Sequence, residues 1–528
     1  MAVKASVWQD IVSKKRDIQF TAINSFRSGT SQVNQSVCEN PNIDDLLELY
    51  HSGDVNIEQV IRSYIASAIS AHKKTNCLTE VLFEHAIESA KALDANGEPS
   101  PLRGVPMTLK DQFNVQGFDS TIGYVGRALR PARNDAILVE MLRGLGAVIL
   151  AKTNLPQSIM WCETENPLWG LTTNPSAPGY TPGGSTGGES ALLALKGTMV
   201  GWGTDIGGSI RIPSHMMGLY GLKPSSSRLP YTGVPVSTEG QEHVPSSVGP
   251  MARSLSSITH VMKSLIDAQP WKYDARCAPI PWRHDIYDSS VSRPLTIGVL
   301  FDDGVVRPHP PITRVLKSAV EALRKAGHDI MEWDASLHPE CIEVMDTFYS
   351  ADGGEDVRTD VEAGGEPYIP HVERLVNRGK AISVYEYWQL NKKKWALQQA
   401  YLEKWKRMTS PATGRNADVI IMPPMPHASV PHGGCRWVGY TKVFNVLDYS
   451  ALVIPGGDIK QEDTETSWEF EPRNEMDEWN MQLWRKHREE MVKLRLPVGV
   501  QIIARKLEEE KVLAVGKVLD DLLRCTSP

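Results

Sequence analysis

Residues 179–224 read GYTPGGSTGGESALLALKGTMVGWGTDIGGSIRIPSHMMGLYGLKP. Twelve of the chain's 41 glycines fall between Gly179 and Gly221. Glycine admits unusual backbone angles and lets a main chain approach a ligand closely. Two blocks, Gly183-Gly184-Ser185-Thr186-Gly187-Gly188 and Asp205-Ile206-Gly207-Gly208-Ser209, each set a hydroxyl among glycines. Between them Glu189–Lys196 reads as a short helix. A helix that starts after a glycine loop turns its first N–H groups toward whatever occupies that loop.

Several chemistries compete for this pattern. A phosphate loop needs Gly-x-x-x-x-Gly-Lys-Ser/Thr, a spacing that does not occur here. A dinucleotide fingerprint needs a third glycine where Ile206 stands. Gly183–Gly187 does match the G-x-S-x-G elbow of α/β-hydrolases, but that elbow follows a strand, and residues 176–182 can hardly form one. A fourth reading makes Ser209 a nucleophile whose developing oxyanion faces the backbone amides of Ile206, Gly207, Gly208 and Ser209. The bland alternative is that these glycines only pack a helix against a sheet.

A serine nucleophile needs a base. His215 and His243 carry no sign of that role. Lys110, in Gly104-Val105-Pro106-Met107-Thr108-Leu109-Lys110-Asp111, is the better candidate. Strand alternation puts Thr108 and Lys110 on one face and Val105, Met107 and Leu109 on the other. A free lysine is neutral in only about one molecule in 2,500 at pH 7, so burial would have to lower its pKa. A strand-end lysine paired with Asp111 is the competing reading.

The rest of the chain bounds these options. Its 528 residues suggest roughly three or four domains by length alone. A hydrophobic share of 41% and a charged share of 23% describe a globular protein rather than a disordered one. The net charge of −7 argues against a general nucleic-acid binder. No apolar run is long enough to span a membrane, and residues 1–20 lack a signal peptide's apolar core. Seven scattered cysteines without C-x-x-C disfavour a disulfide framework and a structural zinc site. The expectation is a cytoplasmic protein.

Apolar residues at 57, 60, 61, 64, 65 and 69 predict a helix, and Val81–Leu93 extends the helical texture. Asn134 or Asp135 is placed to cap a helix over 137–142, followed by a strand at 147–150. Val315–Ile330 repeats the helix–glycine–strand pattern. Further strands are expected at 295–300, 419–422, 451–454 and 498–503, then a helix over 508–523. The Pro-rich 278–294 and the acidic 458–484 read as loops or surface excursions. Strands interleaved with helices predict one large α/β/α layered domain with a central mixed sheet covered by helices. Residues 1–100 are expected to form a helical region packed on the 101–528 core.

Together the lysine strand GVPMTLKD, the Gly-Gly-Ser block and the Asp-x-Gly-Gly-Ser loop resemble the amidase signature family. Stretches such as QPWKYD (269–274), HPPI (309–312) and YLEKW (401–405) look like its fungal acetamidase branch. The resemblance implies a Ser-cisSer-Lys triad made by Ser209, Ser185 and Lys110, with a cis peptide before Ser185. It implies an amidase working through an acyl-enzyme without metal or organic cofactor. Thr186 departs from the family's second serine. Asp205 and Arg211 are expected to brace the nucleophile loop, or to form an ordinary ion pair. Met160, Trp161, Cys162, Trp437 and Tyr440 are candidates for the substrate pocket. The expected partner is a small-molecule amide; a homodimer stays open. An acyltransferase, or a subunit of an amidotransferase complex, would carry the same signature.

Overall fold

The computed structural model describes residues 2–26, 34–465 and 467–526. Among them the strands are β1 (Leu78–Val81), β2 (Pro106–Lys110), β3 (Val148–Thr153), β4 (Glu165–Asn166), β5 (Gly170–Leu171), β6 (Val200–Asp205), β7 (Tyr220–Lys223), β8 (Ser247–Ala252), β9 (Thr296–Val299), β10 (Asp329–Glu332), β11 (Val419–Met422), β12 (Ser450–Asp458) and β13 (Pro497–Ala504). β4 and β5 make a small separate hairpin. The other eleven form one sheet in the order β1-β3-β2-β6-β8-β7-β12-β13-β11-β9-β10.

The sheet is mixed. β2 runs parallel to both β3 and β6, and β11, β9 and β10 are parallel to one another, while β8, β7, β12 and β13 alternate. Every residue of β2, β3 and β6 is buried. This is the pattern of strands covered on both faces by helices. Helix Ile57–Thr75 buries Ile57, Val60, Ile61, Tyr64, Ile65 and Ile69, the stripe its spacing predicts, and starts at a capping box of Asn56 with Gln59. The result is a single α/β domain with flanking helices, as the sequence leads one to expect.

Four local expectations change. Val81 belongs to β1, paired antiparallel with β3, so the first hundred residues supply a strand to the common sheet, and the second helix starts only at Phe83. Asp135 does not cap the helix Ile137–Gly144. Its carboxylate instead accepts the Gln116 N–H at 2.7 Å and pairs with Arg143. The Pro-rich 278–294 contains the helix His284–Ser292, which packs on Glu509–Thr526.

The acidic 458–484 is not a surface excursion. β12 runs through Asp458, and helix Glu475–Leu494 begins at Asn474, whose side chain accepts the N–H groups of Met476 and Asp477. Glu475, Asp477 and Glu478 occupy the first turn, where the positive end of the helix dipole favours carboxylates. Trp484 is 1% exposed, with its ring 5.2 Å from that of His309.

Candidate active site

β2 and β6 are parallel, with Thr108 opposite Gly201 and Leu109 opposite Trp202. Their last residues, Lys110 and Asp205, therefore arrive at the same edge of the sheet. Ligands in open α/β sheets bind outside such carboxyl ends. From the end of β6 the chain turns through Ile206-Gly207-Gly208-Ser209 into helix Arg211–Met217. The other glycine block enters helix Gly187–Ala194.

The Lys110 side chain is fully buried. Its Nζ lies 2.7 Å from Ser185 Oγ and donates to Thr204 Oγ1 at 3.1 Å. Thr204 in turn donates to Gln112 Oε1 at 2.7 Å. Burial pushes the Lys110 pKa down to about 7, against the opposing pull of Asp205. The reading of Lys110 as a partner of Asp111 fails, because that carboxylate is taken by Thr79, Thr121 and the Ile122 N–H. The Gly184–Ser185 peptide is cis. The Thr186 N–H donates to the Ser209 carbonyl at 3.2 Å and ties the two blocks together.

Asp205 and Arg211 are both fully buried, 2.8 Å apart. The carboxylate also accepts the N–H groups of Gly208 at 2.9 Å and Ile210 at 3.1 Å. Burial opposes its ionisation, yet the Arg211 guanidinium, helped by Lys223 and Asn445, holds it well below the usual carboxylate range. Arg211 reaches on to the Thr441 carbonyl, Gln501 and Asn445. The pair thus fixes the loop from within and joins it to β13.

This arrangement engages one of the four amides expected to face the oxyanion. The Gly208 amide is committed to Asp205, while Ile206, Gly207 and Ser209 line the cavity. Gly208 is needed for another reason: its φ of +133° is one that residues with a side chain rarely adopt. Gly207 answers a close approach, since a Cβ there would stand 2.1 Å from the Tyr349 hydroxyl. Thr186 keeps its hydroxyl buried without a partner among the described residues, and its methyl fits over Gly203, which has no side chain to collide with it.

A cavity of about 450 Å³ opens onto Ser209. Met160, Trp161, Cys162 and Trp437 line it. Tyr440 does not: it is buried in a separate apolar cluster and donates its hydroxyl to the Val306 carbonyl at 2.6 Å. His215 and His243 are structural. The first accepts the Gly499 N–H and contacts the His427 carbonyl; the second stacks on Phe348 with centroids 4.4 Å apart.

Sequence reasoning missed Thr204, Tyr349, His371 and the cations of the cavity wall. Thr204 was findable, one residue before Asp205 and at the end of the same strand. Tyr349 and His371 come from helical segments more than a hundred residues downstream, and no local pattern marks them. His371 stacks on Trp161, with centroids 4.4 Å apart and planes 12° from parallel. Burial and neighbouring Arg374 push its pKa down to about 3, and no hydrogen bond joins it to either serine.

A family model described as Amidase matches residues 59–513. Over 523 residues the chain is 51% identical to "Amidase 1" of Gibberella moniliformis, covering 98% of this chain and 99% of that protein. It is 38% identical over 489 residues to "Acetamidase" of Emericella nidulans, covering 91% and 88% of the two chains. The solved structure of "Fatty acid amide hydrolase" superposes with a TM-score of 0.84 at 28% identity, covering 98% of this chain and 90% of that one. The chain belongs to the amidase family.

Proposed function

We propose that this amidase cleaves a carboxylic acid amide through an acyl-enzyme on Ser209. Neutral Lys110 draws a proton through Ser185 as Ser209 Oγ attacks the carbonyl carbon. The new C–O bond forms while the carbonyl electron pair moves to oxygen, held by the amides of Ile206, Gly207 and Ser209. A donor of this kind is typically worth about 3–4 kcal/mol of barrier. As the C–N bond breaks, Ser185 returns the proton to the leaving nitrogen. Water activated by the same relay then releases the acid and restores Ser209.

The observation that carries this reading is the 2.7 Å contact between a buried lysine and Ser185, one peptide from a cavity-lining glycine. A base must be within hydrogen-bond reach of the group it deprotonates and must titrate near the working pH. Lys110 meets both conditions.

The test is release of ammonia or amine by the purified chain from a panel running from acetamide to arylacetamides and fatty amides. Ser209→Ala is expected to lose at least about a thousandfold in kcat/KM while keeping its thermal transition. Hydroxylamine should intercept the acyl-enzyme and give hydroxamate only with Ser209 intact. Undiminished turnover by Ser209→Ala would overturn the assignment.

A further inference from the structure

Four cations, Arg374, Arg378, Arg436 and Lys442, line the cavity that Ser209 opens into, against one carboxylate, Asp346. That carboxylate is taken: Lys442 Nζ lies 2.7 Å from it. The buried Lys442 also sits 5.1 Å from the Trp437 ring centroid. Arg378 reaches the Asp346 carbonyl, at 3.5 Å. Among the described residues, neither Arg374 nor Arg436 has an acidic partner.

These two guanidiniums come from different parts of the chain. Arg374 lies on helix Pro370–Val376, and Arg436 lies in the loop before helix Gly439–Val446. Arg436 is seated on the Trp479 face, its Cζ 3.5 Å from the ring centroid. A cation held against an aromatic face keeps its N–H fork in a fixed place. Burial, and then the like charge of Arg374, push the Arg436 pKa down, so the two feel each other across the cavity. Solvent-exposed arginines ordinarily scatter among carboxylates. Here two converge on one opening whose single carboxylate, Asp346, is held by Lys442, and an anion between them would relieve their repulsion. A guanidinium fork fits a carboxylate in a two-point contact.

Building on the amidase reading, we infer that the substrate is an anionic amide, carrying a carboxylate distant from the scissile carbonyl that Arg374 and Arg436 receive. Arg378 adds to the attraction, while Lys442 stays with Asp346. The wall then selects by charge as well as by shape and draws the substrate in electrostatically.

The experiment compares mono-amides of unbranched dicarboxylic acids, succinamic to suberamic acid, with n-alkanamides of equal chain length. Ammonia release by the full chain is measured at low and high NaCl. At the best chain length the acid should exceed its neutral counterpart in kcat/KM by about tenfold or more, and the excess should shrink with salt. In Arg374→Gln/Arg436→Gln the acid-to-neutral ratio should fall by about tenfold. Neutral amides cleaved as well as the acids at every length, or a ratio unchanged in the double variant, would overturn the inference and leave the amidase reading standing. Cleavage of neither series would also overturn it, and the amidase reading would then be judged on its own wider panel.

Discussion

Lys110 is useful because of where it is buried rather than because it is a lysine. On an exposed strand end it would hold its proton at neutral pH. Enclosed with Ser185 and Thr204 as its polar neighbours, it titrates near 7. In the proposed mechanism the active form is the neutral amine, whose fraction grows as pH rises through that value. A plot of log kcat/KM against pH is therefore expected to climb with unit slope below about 7 and flatten above it. A profile that is already flat down to pH 5 would be inconsistent with Lys110 as the base. The sequence marks this residue by motif, but its altered proton affinity is a property of the enclosure.

At the scale of elements, the Ile206–Ser209 turn is held by two constraints of different kinds. One is electrostatic: Asp205 receives loop amides and is itself held by Arg211. Replacing Arg211 by Met leaves a buried carboxylate uncompensated, and the expected cost is about 3–5 kcal/mol in urea unfolding. The other is steric. Gly207→Ala pushes a methyl into the Tyr349 hydroxyl, and overpacking of this kind costs about 1–3 kcal/mol, with kcat/KM falling alongside. Adding Tyr349→Phe removes the oxygen in conflict and should recover part of both losses. Additive effects in that double-mutant cycle would mean that the two groups do not meet. The Asp-x-Gly-Gly-Ser motif announces the first constraint. It is silent on the second, whose other half lies at Tyr349.

Among the described residues the molecule is built on one sheet of eleven strands, with the β4–β5 hairpin apart from it, and both ends of the chain contribute: β1 lies at one edge, and β13 sits beside β12 in the interior. Length alone suggested several domains; the shared sheet makes them one. The stretch 458–484 shows why composition misleads at this scale. Its acidic residues look like a solvated surface, yet three of them open a helix whose inner face carries Trp484 into the core. Trp484→Ala is accordingly expected to cost about 3–5 kcal/mol, read as a lowered denaturation midpoint. A loss below about 1 kcal/mol would return this stretch to the surface. Met476 of the same helix lines the cavity, so the segment also shapes the site.

The sequence alone determined what is local: the helix stripes at 3.6-residue spacing, the buried β strands, and the glycine blocks that place Ser185 and Ser209. Those features depend on neighbours a few residues apart, and short-range geometry writes them into the chain directly. Only the tertiary structure decided what depends on convergence. It showed that the Gly208 amide is spent on Asp205, that Tyr440 is not part of the cavity wall, and that the segments after residue 340 bring Tyr349, His371, Arg374 and Arg436 to Ser209. Contacts between residues more than a hundred positions apart leave no periodicity in one sequence, so the chemistry of the cavity wall becomes legible only once the sheet has brought them together.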